Sequence, residues 1–249
     1  MKTKPDWKFI LPFFAAFAVF VFAAARLGMI LWGYYQGEQQ YQKLMHSVTL
    51  QKPELKGAGE PQLAIDFEKL KSINPDIAAW IYIEKLEISY PIVHGSDNNY
   101  YLDHTFYKEA NKCGSIFLEA GNHKDFSDLH TFVYGHNMKD NSMFARLNEY
   151  QEEKTFQENP EFYIYTPEGT KRYQIFSCYI AALDWDSFQM DFGEEEAYAA
   201  WQDTVKKRSL YDTKIMPGAG QRTVTLMTCT PAGQNYRFLV HGVLADDLQ

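Results

Sequence analysis

The stretch TVTLMTC, residues 223–229, is an alternating apolar run that ends on a cysteine. Side chains alternate between the two faces of a strand, so Thr225, Met227 and Cys229 share one face and the thiol emerges at the end of the strand. A turn-like TPAGQN follows, and the next alternating run, YRFLVHGVL, carries Arg237. A hairpin or near-hairpin of the two runs therefore predicts a guanidinium beside the thiol.

A nucleophilic cysteine needs a group that holds or accepts its proton, and histidine is the usual partner. The chain has seven histidines. We predict that His136 is the partner, because it ends the apolar run TFVYGH directly before the turn-like NMKDN, where a barrel enzyme would place a base. A guanidinium near such a pair can stabilise negative charge that develops on an oxygen.

Two other kinds of site fit the sequence poorly. His123 and His130 lie near Asp125 and Asp128, but their spacing matches no zinc pattern, so we predict no metal site. The formal net charge is -8, the sequence pI is near 5.4, and Lys and Arg do not cluster beyond the first eight residues. This charge distribution excludes nucleic acid as an expected partner.

The elements that must position these side chains are mainly strands. Eight short runs have strand character and are separated by turn residues, which predicts a closed or nearly closed β-barrel. Helical patches at 142–150 and 193–211 interrupt the strands, and the second is predicted to be a helix inserted between two barrel strands. The predicted strands are 80–84, 86–93, 114–119, 131–136, 162–166, 171–183, 222–229 and 236–244.

The N-terminus predicts a membrane segment. Residues 9–25 carry no charge, and after Arg26 the apolar character resumes as far as Trp32. At about 1.5 Å per residue this helix spans a hydrocarbon core of about 30 Å. Three lysines precede it, so we expect residues 1–8 in the cytoplasm, 9–32 as a single-pass signal anchor and the remainder outside the cell. A cleaved signal peptide is the alternative, since FAAAR offers small residues.

We further expect residues 33–62 to form a membrane-proximal stalk and residues 63–249 to form the extracellular catalytic domain. The other two cysteines, Cys113 and Cys178, lie in apolar, strand-like contexts. A disulfide between them is one interpretation, and two buried free thiols are the favoured one.

These motifs together resemble a family. TLMTC, the arginine eight residues after its cysteine, VYGHNM, NPDIAAWI, YPIVHGSDNNYYLDHTF and GSIFLE resemble the sortases, specifically class B, from about residue 65 to residue 244. The resemblance implies an eight-stranded sortase-type barrel with N-terminal helices and a long helix before the cysteine strand. It also implies that Cys229 is the nucleophile, His136 the acid and base, and Arg237 the donor to the oxyanion or the substrate backbone.

The resemblance extends to substrate-binding residues. Asn98 and Leu102, in DNNYYL, match family positions that line the substrate groove, and Met227 and Thr228 precede the cysteine in its motif. Class B enzymes commonly read TLSTC, so Met227 stands where a serine is usual. A role for that serine hydroxyl in substrate contact has no counterpart in this chain.

The implied activity is that of a cysteine transpeptidase. The enzyme would cleave an NPxTx-like sorting signal of a secreted protein after Thr through a thioacyl intermediate, and would join the protein to an amine of peptidoglycan or its lipid-linked precursor. No metal or organic cofactor is expected. A pilin lysine as the resolving amine, or a non-catalytic tethered binding barrel, are the alternatives. A papain-like protease would place its cysteine before its histidine, and the order here is the reverse.

Overall fold

Eight strands form a closed barrel in the computed structural model, which describes residues 7–49, 54–55 and 61–248. Ahead of the barrel, two short strands pair with each other, β1 (Glu54–Leu55) and β2 (Pro61–Gln62). The barrel strands are β3 (Ile77–Ile83), β4 (Ile88–Val93), β5 (Ile116–Leu118), β6 (His130–Tyr134), β7 (Glu161–Thr166), β8 (Gly169–Ala182), β9 (Thr223–Cys229) and β10 (Tyr236–Leu248).

The strands follow the order β10-β8-β7-β3-β4-β5-β6-β9 around the closed barrel. The prediction of an eight-stranded barrel is therefore confirmed, and each predicted run overlaps one strand. Neighbouring strands are antiparallel except for two parallel pairs, β4 with β5 and β6 with β9. The predicted run 131–136 differs at its end, since β6 stops at Tyr134 and His136 lies in the loop that follows.

The helices lie outside the barrel. They are α1 (Trp7–Val48), α2 (Phe67–Ile73), α3 (Glu153–Glu158) and α4 (Glu195–Lys207), with 3-10 turns at Tyr100–Leu102, Ala145–Gln151 and Asp186–Phe188. The inserted helix predicted at 193–211 is α4, which buries Tyr198, Trp201 and Val205 against the barrel. The patch predicted as helical at 142–150 is instead mainly a 3-10 turn.

Helix α1 runs without a break from the apolar stretch to the barrel. It is long and apolar enough to cross a membrane. Its last turns bury Tyr41, Leu44 and Val48 in the main hydrophobic core, and the Tyr41 hydroxyl donates to the Gly114 carbonyl oxygen at 2.7 Å. Residues 33–48 of the predicted stalk are thus helical and are packed on the domain.

Other parts of the predicted tail and stalk lie outside the described residues. These are residues 1–6 at the N-terminus and residues 50–53 and 56–60 between α1 and the barrel.

A second core cluster under α4 contains two fully buried histidines, His130 and His241. The Nδ1 of His130 lies 2.7 Å from the Gln189 carbonyl oxygen, which can only accept, so this nitrogen carries the hydrogen. The Nε2 of His130 then accepts from the Thr225 hydroxyl at 2.7 Å, and the same oxygen accepts from His241 Nδ1 at 2.7 Å. The His130 ring is therefore neutral in the folded protein, and His241 Nε2 has no hydrogen-bond partner among the described residues.

Stability is expected to fall in mild acid. Burial lowers the pKa of His130 to about 4 and lowers the pKa of His241 well below its usual value. Between the ordinary pKa of about 6.5 and the depressed values, the unfolded chain binds protons that the folded chain does not bind. The free energy of unfolding of the detergent-solubilised protein, measured by urea titration, should therefore decrease from pH 7 to pH 4.5.

The variant His130→Gln tests the cause of this decrease. It should flatten the pH dependence of the free energy of unfolding, although it also lowers stability at neutral pH. The control His46→Gln, at an exposed position, should show the same pH dependence of the free energy of unfolding as wild type. Equal slopes for His130→Gln and wild type would contradict the explanation.

Candidate active site

A pocket of about 260 Å³ opens where β6 and β9 end and β10 begins. All seven residues that the sequence predicts for catalysis or substrate binding line this pocket, together with Phe117, Tyr134 and Gly135. The seven are Asn98, Leu102, His136, Met227, Thr228, Cys229 and Arg237.

Strand pairing brings the three reactive side chains to one place. β9 lies between β10, which pairs with it antiparallel, and β6, which pairs with it parallel. Arg237 of β10 is directly opposite Cys229, which places their Cα atoms about 4.5–5.5 Å apart. On the other side Tyr134 is opposite Met227, so His136, two residues later, reaches the level of Cys229.

Backbone contacts continue this pairing into the loop after β6. The Gly135 amide donates to the Met227 carbonyl oxygen at 3.1 Å, and the Phe144 amide donates to the His136 carbonyl oxygen at 3.0 Å. A Cβ at Gly135 would lie 2.6 Å from carbon atoms of the Phe144 ring. Only glycine fits between β9 and Phe144 without displacing the loop that holds His136.

The thiol of Cys229 is exposed while its backbone is held in place. The Cys229 carbonyl oxygen accepts from Asn137 Nδ2 at 2.8 Å and from Asn148 Nδ2 at 3.4 Å. These two asparagines were not predicted. Asn137 had one signal in the sequence, since it directly follows His136, whereas Asn148 comes from the distant 3-10 turn and had none.

His136 is half-buried and oriented by a backbone contact. Its Nε2 lies 2.6 Å from the Leu102 carbonyl oxygen. A carbonyl oxygen only accepts, so Nε2 carries a hydrogen and donates it. This contact leaves Nδ1 as the nitrogen that can exchange a proton with other groups in the pocket.

Arg237 is half-buried and anchored on one side of its guanidinium. Its Nη1 donates to the carbonyl oxygens of Gln234, at 2.7 Å, and Tyr236, at 2.8 Å. Among the described residues, no acceptor is bonded to its Nε or Nη2. The guanidinium is therefore fixed by the backbone at the end of the loop and at the start of β10, with donors left over for a ligand in the pocket.

The opposite wall of the pocket comes from the 3-10 turn Tyr100–Leu102 and from β5 and β6. Asp97 begins this turn by accepting from the amides of Asn99, at 2.7 Å, and Tyr100, at 2.9 Å. The rings of Phe117 and Tyr134 pack against each other with centroids 5.1 Å apart. The pocket thus has an apolar floor with polar groups at its rim.

The two residues before the cysteine differ from each other. Met227 is half-buried and lies on the cysteine's face of β9, where it adds apolar surface. Thr228 is buried, and its hydroxyl has no hydrogen-bond partner among the described residues.

The described residues contain no group of three or more His, Cys, Asp or Glu side chains that could hold a metal ion.

A family comparison defines the class of protein. The family model described as "Sortase domain" matches residues 81–245, which include every barrel strand except the ends of β3 and β10. The chain therefore belongs to the sortase family, whose members are cysteine transpeptidases.

Relatives place the chain in class B of that family. It is 34% identical over 164 residues to "Sortase B" of Listeria monocytogenes, covering 66% of this chain and 67% of that protein. Sortase B from Bacillus anthracis in complex with AAEK1 superposes with a TM-score of 0.74 at 28% identity, over 88% of this chain and 100% of that chain. A Staphylococcus aureus sortase B–substrate complex superposes with a TM-score of 0.72 at 26% identity, over 85% of this chain and 97% of that chain.

The three thiols should differ sharply in reactivity. Cys113 and Cys178 are both buried and free, as the favoured interpretation of the sequence predicted. Burial raises the pKa of the Cys113 thiol to about 11 and that of Cys178 to about 12, so neither forms much thiolate at neutral pH. With limiting iodoacetamide at pH 7.5, mass spectrometry of the native protein should find one fast label, on Cys229. Comparable labelling of Cys113 or Cys178 would contradict the burial argument.

Proposed function

We propose that this chain is a membrane-anchored transpeptidase that cleaves an NPxTx-like sorting signal after Thr. It then joins the secreted protein that carried the signal to a peptidoglycan amine. The amine belongs to the cell wall or to its lipid-linked precursor. The observation that carries this proposal is the exposed thiol of Cys229, with Arg237 of the neighbouring strand β10 and His136 of the loop after β6 around one pocket. Membership of the sortase family supplies the reaction class.

In the first half of the reaction, the Cys229 thiolate attacks the carbonyl carbon of the threonine. The carbonyl oxygen gains negative charge and accepts from the unoccupied donors of Arg237. His136, protonated on both nitrogens, gives its Nδ1 proton to the departing amine as the peptide C–N bond breaks. A thioester to Cys229 remains, and the C-terminal part of the signal leaves.

In the second half, an amine attacks the thioester carbon. His136 takes a proton from that amine through Nδ1, the C–S bond breaks, and the thiolate is restored. The new amide bond joins the threonine to the wall amine. The reaction begins and ends with the same protonation of the enzyme, and it needs no metal or organic cofactor.

Membrane anchoring and domain boundaries belong to the same proposal. Helix α1 supports a single-pass anchor over residues 9–32, with residues 1–8 cytoplasmic and the catalytic domain, 63–249, outside the cell. The substrate would be a secreted protein that carries a C-terminal sorting signal and approaches the same membrane surface. A complex of sortase B from Staphylococcus aureus with a substrate supports a peptide ligand for the pocket.

Removal of the thiol is the first test. The variant Cys229→Ala should fold normally and cleave no NPxTx-like peptide, because no other exposed thiol among the described residues can form the thioester. Cleavage and joining are followed by mass spectrometry with a panel of peptides and amines, including peptidoglycan fragments and a pilin lysine. The control Cys113→Ala keeps the reactive thiol and should remain active.

Three outcomes of that experiment are informative. Joining to peptidoglycan fragments supports the proposal, and joining only to the pilin lysine would replace the wall amine by a pilus-assembly role. Substantial turnover by Cys229→Ala would refute the nucleophile.

The second test concerns the guanidinium. The variant Arg237→Lys should lose about a hundredfold in kcat/KM, because the single nitrogen of lysine cannot span both the carbonyl oxygens of Gln234 and Tyr236 and the developing oxyanion, as a planar guanidinium can. Arg146→Lys is a matched control, since Arg146 pairs with Glu87 and Glu149 away from this pocket. Near-normal kinetics for Arg237→Lys would refute the proposed role.

A further inference from the structure

A carboxylate outside the predicted set, that of Glu119, lies directly behind the pocket wall. Glu119 is the first residue after β5, is half-buried, and has its amide bonded to the Phe132 carbonyl oxygen at 3.0 Å. One carboxylate oxygen accepts from Asn98 Nδ2 and the other accepts from the Tyr134 hydroxyl. Asn98 and Tyr134 both line the pocket, whereas Glu119 does not.

The contact with Glu119 determines which way the Asn98 amide faces. The Ala120 amide donates to Asn98 Oδ1 at 2.8 Å, so the oxygen is directed at the backbone and the nitrogen must face the carboxylate. One hydrogen of Nδ2 is used by Glu119. Among the described residues, no acceptor is bonded to the second hydrogen, which leaves Asn98 with one oriented donor at the pocket rim.

The same carboxylate holds the ring of Tyr134. Burial raises the pKa of Tyr134 well above its usual value, and Glu119 adds to this effect, so the hydroxyl is protonated and donates. The ring is also packed against Phe117, with centroids 5.1 Å apart, and stacked on Phe132, with centroids 6.0 Å apart. The hydroxyl contact fixes the position of the ring edge that faces the pocket.

A carboxylate accepts from both partners in this arrangement. Two donors, an amide N–H and a phenol O–H, meet one side chain from two sides, and both oxygens must accept. A glutamine has one oxygen and one NH₂ group, so it can accept from Asn98 only while the Tyr134 hydroxyl turns to accept from its NH₂, and the negative charge that strengthens both contacts is lost. Within the described part of the chain, Glu119 forms no ion pair. Both of its side-chain hydrogen bonds are to neutral groups.

We propose that Glu119 is a positioning residue for peptide recognition. It holds the Asn98 amide and the Tyr134 ring so that an extended peptide meets one fixed N–H donor beside a fixed apolar wall. The ligand is a peptide segment that presents a carbonyl oxygen, from its backbone or from an amide side chain, to Asn98. This inference rests on the proposed function, because it assumes that the pocket binds the sorting signal.

The variant Glu119→Gln tests the inference in the full-length protein. The KM for an NPxTx-like peptide should rise about tenfold while kcat stays within about twofold of wild type, because the weakened contacts aid binding and not bond breaking. The rate at which iodoacetamide labels Cys229 should not change. A change in kcat with unchanged KM, or a KM within about twofold of wild type, would overturn the inference.

Glu161→Gln is the matched control. Glu161 is also a half-buried carboxylate, on β7, and it accepts from the Tyr163 hydroxyl at 3.3 Å, from Gln174 Nε2 at 3.2 Å and, unlike Glu119, from an arginine, Arg172, at 2.7 Å. It does not line the pocket. This variant carries the same chemical change and should keep the wild-type KM. An equal rise in KM for both variants would show that only general stability is affected, and would overturn the inference.

A double-mutant cycle tests whether Glu119 acts through Asn98. Asn98→Ala should raise KM by itself, and adding Glu119→Gln should raise it little further, whereas additive effects would overturn the proposed route. Calorimetric binding of the peptide to variants that also carry Cys229→Ala separates the two proposals. Binding and cleavage by wild type with no effect of Glu119→Gln overturns this inference alone, and a wild-type protein that neither binds nor cleaves the peptides overturns both.

Discussion

The position of β9 between a parallel and an antiparallel neighbour is the constraint on which the site depends. The antiparallel register with β10 places Arg237 opposite Cys229, and the parallel register with β6 places Tyr134 opposite Met227. A slip of one residue in either register would turn the arginine or the histidine to the other side of the barrel wall. The buried His130 and His241 resist such a slip, because both bond to one hydroxyl, that of Thr225 in the middle of β9.

The polar contacts around the pocket divide between stability and recognition. The histidine cluster under α4 is sealed from solvent and joins β6, β9 and β10 through neutral hydrogen bonds. At the rim, by contrast, His136, Arg237 and Asn98 each use part of their hydrogen-bonding capacity on the protein and keep part of it for a ligand. This division lets the chain hold reactive groups in fixed orientations without burying them, as preorganised catalysis requires.

Helix α1 couples this site to the apolar N-terminal stretch. Beyond the buried Tyr41, Asn111 Nδ2 donates to the Gly33 carbonyl oxygen at 3.0 Å, and Gly37 lies so close to Cys113 that a Cβ there would come within 2.6 Å of its sulfur. Close packing of this kind holds the helix at one angle to the barrel. The last turns of the helix therefore form part of the domain, and an anchor in the membrane would orient the pocket.

The amino-acid sequence by itself determined the barrel, its eight strands and the inserted helix, because strand periodicity is a short-range property. It also indicated Cys229, His136 and Arg237 by their places at strand ends, whereas the other four pocket residues came from the family resemblance that the local motifs carry. Only the tertiary structure decided which contacts complete the pocket. Glu119, Asn137 and Asn148 act through side chains that reach residues 15 to 92 positions away, and no periodicity marks them. The sequence likewise did not predict that residues 33–48 pack on the domain, because a polar helix that buries one narrow stripe has the same composition as an exposed helix.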